Sequence, residues 1–223
     1  METRNISFLL IKGIIINMLT QPMKVVISFI LSIIAISLYI IFKNTNRKFC
    51  MFAMLSSTLG DIFMTDILHI GSMSTYFGAF FFILAHIIYA LCFIFDSRRK
   101  NYKFFNIGFY VGIIVVIVTI IVLTLLMLNK TNKIQGMYIP LLVYLLFIGF
   151  NLVSQFSFAY SEKGYRLFLL LGMLLFIISD FLVFLPMLNI CQESMQYNDY
   201  IWFTYIPAQL LIMIFNSDFI KRV

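Results

Sequence analysis

Along the chain, apolar runs long enough to cross a bilayer alternate with short polar breaks. Allowing about 20 residues for each spanning helix, the runs fall at 6–20, 22–42, 48–68, 75–95, 104–128, 137–160, 166–188 and 200–219. This pattern predicts an all-α integral membrane protein, a bundle of eight transmembrane helices forming one polytopic domain over residues 1–223. The strict two-residue alternation over about 10-residue segments that marks an outer-membrane barrel does not occur. The first run is short, is interrupted by Lys12, and ends at Gln21-Pro22, where a tight turn is expected. Its alternative place is in the interface, which would leave seven spans. A cleaved signal peptide is not expected, because no small-x-small cleavage site precedes Pro22.

Composition agrees with the pattern. Of 223 residues 62% are hydrophobic and only 11% charged, against about 25% charged in a soluble domain, and the mean hydropathy is +1.02. A net charge of +7 would suit a nucleic acid, but the basic residues sit in short breaks between apolar runs. There they act as topology signals, and no nucleic-acid partner is expected. If eight spans alternate, one face collects Arg4, Lys43, Arg47, Lys48, Arg98, Arg99, Lys100, Lys103, Lys163, Arg166, Lys221 and Arg222, and the other only Lys24, Lys130 and Lys133. Both termini are therefore expected in the cytoplasm, in a bacterial inner or plasma membrane. The breaks at 69–74 and 189–199 have no lysine or arginine, so both are expected outside, with Tyr197, Tyr200 and Trp202 as an interfacial belt. Cys50, Cys92 and Cys191 form no C-x-x-C pair and are read as packing residues.

Candidate chemistry comes from the polar residues inside the apolar runs. Of nine acidic residues, only Asp61 and Asp180 fall well inside a span, where an isolated central Asp costs about 2.5–3.5 kcal/mol. Counting about 1.5 Å per residue, both lie some 20 Å from the basic ends of their helices. His86 lies near the middle of an inward-running span, and Tyr89 shares its face. Tyr205 and Gln209, four apart around Pro207, share another face at similar depth. Asn151 lies somewhat nearer the basic side, with helix-to-helix hydrogen bonding as its default role. His69 belongs to an external loop. Gly60 and Gly172 would let helices approach closely.

Two carboxyls, an imidazole, a phenol and an amide at one level suggest acid-base chemistry on a lipid-like substrate. Two carboxylates in a low dielectric do not both ionise easily, so one is expected to act as acid while the other stays ionised. No G-x-S-x-G, H-E-x-x-H, Walker loop or dinucleotide fingerprint occurs. Two histidines do not furnish a multi-histidine zinc site, so no metal or cofactor is expected. The rival classes are a proton-coupled transporter with an Asp/His relay and a lipid-binding protein without catalysis. The chain lacks the paired Gly/Pro-broken half-helices of midplane transport sites.

Gly60-Asp61, Phe77-Gly78, Ala85-His86, Tyr89, Ser179-Asp180 and Tyr205-Ile206-Pro207-Ala208-Gln209 occur in that order along the spans. In this the sequence resembles the YhhN family of lysoplasmalogenases, eight-span hydrolases of the vinyl-ether bond. Pro22-Met23 is similar to the family's Lys-Pro-Leu element, with Gln21 in place of its lysine. The resemblance implies hydrolysis of lysoplasmenyl-ethanolamine or -choline to a fatty aldehyde and a glycerophospho-alcohol, with the lysophospholipid and membrane lipid as partners. On it, Asp61, Asp180 and His86 are expected to be catalytic, and Tyr89, Tyr205, Gln209 and Asn151 to meet substrate.

Overall fold

A computed structural model describes residues 21–128, 138–162, 165–187 and 195–215. Among these the chain is all helix, with no strand. The helices are α1 (Gln21–Phe42), α2 (Thr45–Met64), α3 (Ser72–Arg99), α4 (Ile107–Leu128), α5 (Tyr138–Ser161), α6 (Arg166–Met187) and α7 (Met195–Phe215). They correspond to the second through eighth expected spans; the first expected span, 6–20, lies outside the described residues. Five stretches are long and apolar enough to cross a membrane: Pro22–Phe42, Met73–Arg99, Ile107–Leu125, Leu141–Ser161 and Leu167–Leu185. The protein is thus a multi-pass membrane protein by length and composition. Helices α2 and α7, the third and eighth expected spans, fall outside that set of long apolar stretches. Helix α2 carries Arg47, Lys48 and Asp61 within its length, and the apolar part of α7 is confined to Asp199–Phe215.

Six helices close a ring in the order α1, α2, α3, α5, α6, α7 and back to α1, with α2 also touching α7 across it. Helix α4 packs on α5 alone and shows Ile114, Ile117, Val118, Ile121 and Leu125 on its exposed faces, as lipid contact requires. The polar side of α2 is satisfied inside the ring. Ser56, Ser57, Thr58 and Asp61 are all buried, and a neighbouring helix replaces the water that the bilayer cannot supply. Gly172 and Gly60 are two of the glycines that lie at close helix approaches. A Cβ on Gly172 would lie 2.8 Å from Leu211 Cβ of α7, and one on Gly60 would lie 3.1 Å from the Phe82 ring of α3. Both glycines pack helices, as their positions suggested.

Helix ends differ from the apolar pattern wherever a side chain caps them. Helix α2 begins at Thr45 rather than 48 because Asn44 Oδ1 accepts from Arg47 N at 2.8 Å. Helix α4 begins at Ile107 rather than 104 because Asn106 Oδ1 accepts from Phe109 N at 3.0 Å. The same amide donates to Ser157 O at 2.8 Å, tying the cap to α5. Helix α7 already starts at Met195. Asp199, expected in a loop, is therefore a buried helical residue, and Trp202, expected in an interfacial belt, is 7% exposed with its ring 5.4 Å from that of Tyr205. Tyr200 does face outward.

At the basic end, charges expected as topology signals also hold helices together. Arg47 is 1% exposed, and its guanidinium donates to Met213 O and, at 3.2 Å, to Ile214 O. It thereby ties the start of α2 to the backbone of α7 near its basic end. Lys100 donates to Glu162 Oε2 at 2.7 Å and lies 3.5 Å from Asp96 Oδ2. Burial alone would lower its pKa, but the hydrogen bond to Glu162 and the charge of Asp96 outweigh it, and the net shift is upward. Cys50 and Cys92 lie in the main core with their sulfurs 3.9 Å apart; Cys191 lies outside the described residues.

Candidate active site

The two intramembrane carboxyls stand on opposite sides of the ring, on α2 and α6, each in its own set of hydrogen-bonding side chains. Asp61 Oδ2 accepts from Ser28 Oγ of α1 at 2.6 Å and from Tyr205 OH of α7 at 3.0 Å. Ser28 is brought there by a polar stripe in an otherwise apolar helix. Lys24, Ser28 and Ser32 recur every fourth residue and all are buried, Ser28 and Ser32 against α2. Ser32 shares a 2.7 Å hydrogen bond with Thr58, and Thr58 donates to Ser28 O at 3.1 Å. This ladder fixes the register of α1 against α2 and so the position of the Ser28 hydroxyl.

Asp180 faces α3 and α5. Its Oδ2 lies 3.3 Å from His86 Nε2, close enough for ion pairing but without hydrogen-bond alignment, and its Oδ1 accepts from Tyr144 OH at a long 3.5 Å. The other imidazole nitrogen is held by Asn151, whose Nδ2 is 3.0 Å from His86 Nδ1. Gln155 Nε2 donates to Asn151 Oδ1 at 2.8 Å, so the Asn151 amide is left to donate to the imidazole. Nδ1 is then the acceptor, and Nε2 carries its proton toward Asp180. Asn151, expected to meet substrate, hydrogen-bonds His86 from a neighbouring helix.

The two sets meet through Phe176, one turn before Asp180 on α6. Its ring centroid lies 4.9 Å from that of His86, 5.9 Å from Tyr205 and 6.4 Å from Tyr89. Tyr89 donates to Gln209 Oε1 at 2.7 Å, and Gln209 Nε2 reaches Ser57 Oγ at 3.5 Å. All seven residues singled out in the sequence are therefore inside the ring and buried. His69 is not. It is exposed in the α2–α3 connection with φ of 51°. Three partners escaped the sequence reading: Ser28, Tyr144 and Gln155. The spacing of Lys24, Ser28 and Ser32 was the available signal for the first. Tyr144, Asn151 and Gln155, seven and four residues apart on α5, formed an equivalent stripe for the others. Among the described residues no three of His, Cys, Asp and Glu gather as a metal site would need.

Chemically, the interior of the ring holds two buried carboxyls, an imidazole and three phenols, with aromatic rings between them. The YhhN family matches residues 19–215, which includes every one of these side chains. The chain is a member of the YhhN family. No curated protein and no solved structure matches it. The geometry adds which side chains of the short motifs touch.

Proposed function

We propose that this YhhN protein is a lysoplasmalogenase, hydrolysing the vinyl-ether bond of lysoplasmenyl-ethanolamine or -choline within the membrane. The observation that carries the reading is the pair of buried carboxyls, Asp61 and Asp180, each held by side chains from other helices. Burial of that kind is costly in lipid and marks function. The family is associated with the same activity.

The reaction adds water across the enol ether. A proton goes to the carbon next to the ether-bearing carbon, the resulting oxocarbenium ion takes a water oxygen, and the hemiacetal collapses to an aldehyde and the glycerol hydroxyl. One carboxyl supplies the proton, and the other supports the cation and draws the proton from the attacking water. Asp61 is held by two hydroxyls, whereas Asp180 lies 3.3 Å from His86 Nε2, an imidazole able to pass it a proton. We therefore assign Asp61 to the cation and water, and Asp180 with His86 to proton delivery. Phe176, Phe82 and the tyrosine rings supply apolar walls for the alkenyl chain. No metal or cofactor enters this scheme. Purified protein mixed with lysoplasmenyl-ethanolamine should release fatty aldehyde; a transporter or a lipid-binding protein would release none.

We place the basic ends of the helices in the cytoplasm by the positive-inside rule. The carboxyls then sit in the half of the bundle nearer the opposite face, and the lipid would enter from there. A reporter fused after Val223 should be active only in a cytoplasmic form. Activity restricted to the outside would reverse this orientation.

A further inference from the structure

One charged pair in the bundle takes no part in the chemistry above. Lys24 near the start of α1 and Asp199 near the start of α7 lie at the end remote from the basic cluster, with Nζ 3.6 Å from Oδ1. They are 1% and 4% exposed. Neither carboxylate oxygen of Asp199 has a hydrogen-bond partner among the described residues. At that end Lys24 is the one Lys or Arg among them. A buried ion pair offsets its desolvation only when further hydrogen bonds fill the remaining donors and acceptors. This pair is therefore a poor structural clamp, and its charges stand ready for other partners.

The two residues also stand in register with the reacting carboxyl. On α1, Lys24 is one turn from Ser28, which binds Asp61. On α7, Asp199 is about one turn from Trp202, which packs on Tyr205, and Tyr205 binds Asp61. Both chains of contact converge on the same oxygen from the same end. Helical side chains lean toward the N-terminus, so Lys24 and Asp199 both lean away from the carboxyl. In a lysoplasmenyl lipid, five bonds separate the vinyl-ether oxygen from phosphorus, a reach comparable to one helical turn of about 5.4 Å.

We propose that Lys24 and Asp199 form the head-group subsite for a zwitterionic lysophospholipid, with Lys24 receiving the phosphate and Asp199 the ammonium. Without lipid the two charges neutralise each other; with lipid each exchanges its neighbour for the opposite charge of the head group. This rests on the reading of the buried carboxyls as the catalytic site.

The test uses the purified full chain with two substrates, lysoplasmenyl-ethanolamine and the matching phosphoglycerol lipid, which has the phosphate but no ammonium. Lys24→Gln should raise KM about ten-fold for both, the effect of losing one charge-assisted contact. Asp199→Asn should raise KM about ten-fold for the ethanolamine lipid alone. Lys24→Arg should stay near wild type. Lys24→Gln/Asp199→Asn leaves no unpaired buried charge, so folding is protected, and its KM for the ethanolamine lipid should remain high. Return of the double variant to wild-type KM would identify a purely structural pair and overturn the subsite, as would wild-type KM in both single variants. Acyl lysophosphatidylethanolamine, which has no vinyl ether, provides a separate readout by titrating the fluorescence of Trp202, the single tryptophan of the chain. The same variant pattern in that titration, without any turnover, would keep the subsite and remove the catalytic reading. Turnover with head-group dependence unchanged in the variants would do the reverse.

Discussion

Asp61→Asn and Asp180→Asn are each expected to lower aldehyde release by at least about 10²-fold, the usual range for loss of a general acid or base being 10²–10⁴. Asparagine keeps the shape of the side chain and can still accept from Ser28 and Tyr205, or from Tyr144, at its carbonyl oxygen. It cannot take up or release the proton. Folded yield should therefore stay close to wild type. His86→Ala should fall between the two extremes, losing about 10-fold to 100-fold, since the imidazole is assigned to orienting Asp180 and passing it a proton rather than to the carbon itself. Initial rates on lysoplasmenyl-ethanolamine, with the unfolding midpoint of each variant measured beside them, check the set. Wild-type turnover in either folded Asn variant would remove that carboxyl from the reaction.

Arg47→Met should produce the largest loss of stability among single changes outside the site. The guanidinium reaches two carbonyls at the end of α7 from inside the protein, and hydrogen bonds to a charged group contribute about 1.5–3 kcal/mol each. Removing both deletes two charge-assisted hydrogen bonds that join α2 to α7. A net loss of about 3 kcal/mol is expected, lowering the unfolding midpoint in detergent by about 5 °C or more. Arg47→Lys should recover part of it only, because an ammonium does not fork to two acceptors as a guanidinium does. An unchanged midpoint in Arg47→Met would show that α7 is held at its basic end by apolar packing alone.

Arg47 also illustrates what the sequence makes legible. Its place in a basic break was readable, because the positive-inside bias is a local property of the chain. Its burial was not, because the acceptors at Met213 and Ile214 are distant in sequence and carry no side-chain signal. The spans were readable for a similar reason, since about 20 apolar residues in succession are costly anywhere except in lipid. Their ends were not, where Asn44 and Asn106 cap helices that hydropathy starts at other residues. Asp199 looked like a loop acid because its counter-charge, Lys24, sits at the opposite end of the chain. Asp61 and Asp180 stood out because a carboxylate inside an apolar run has few structural explanations. Ser28 and Tyr144, which hold them, did not, since a hydroxyl is cheap enough in a membrane helix to pass as ordinary.

The most direct test of the whole account is to run the reaction in deuterated water and analyse the aldehyde. If a carboxyl delivers a solvent-derived proton to the enol-ether carbon, each aldehyde molecule released from lysoplasmenyl-ethanolamine carries one deuterium on the carbon next to the carbonyl. Asp61→Asn and Asp180→Asn should each suppress that labelled product. Absence of aldehyde from active, folded wild-type preparations, or aldehyde released without deuterium at that carbon, would contradict the assignment of the buried carboxyls to vinyl-ether hydrolysis.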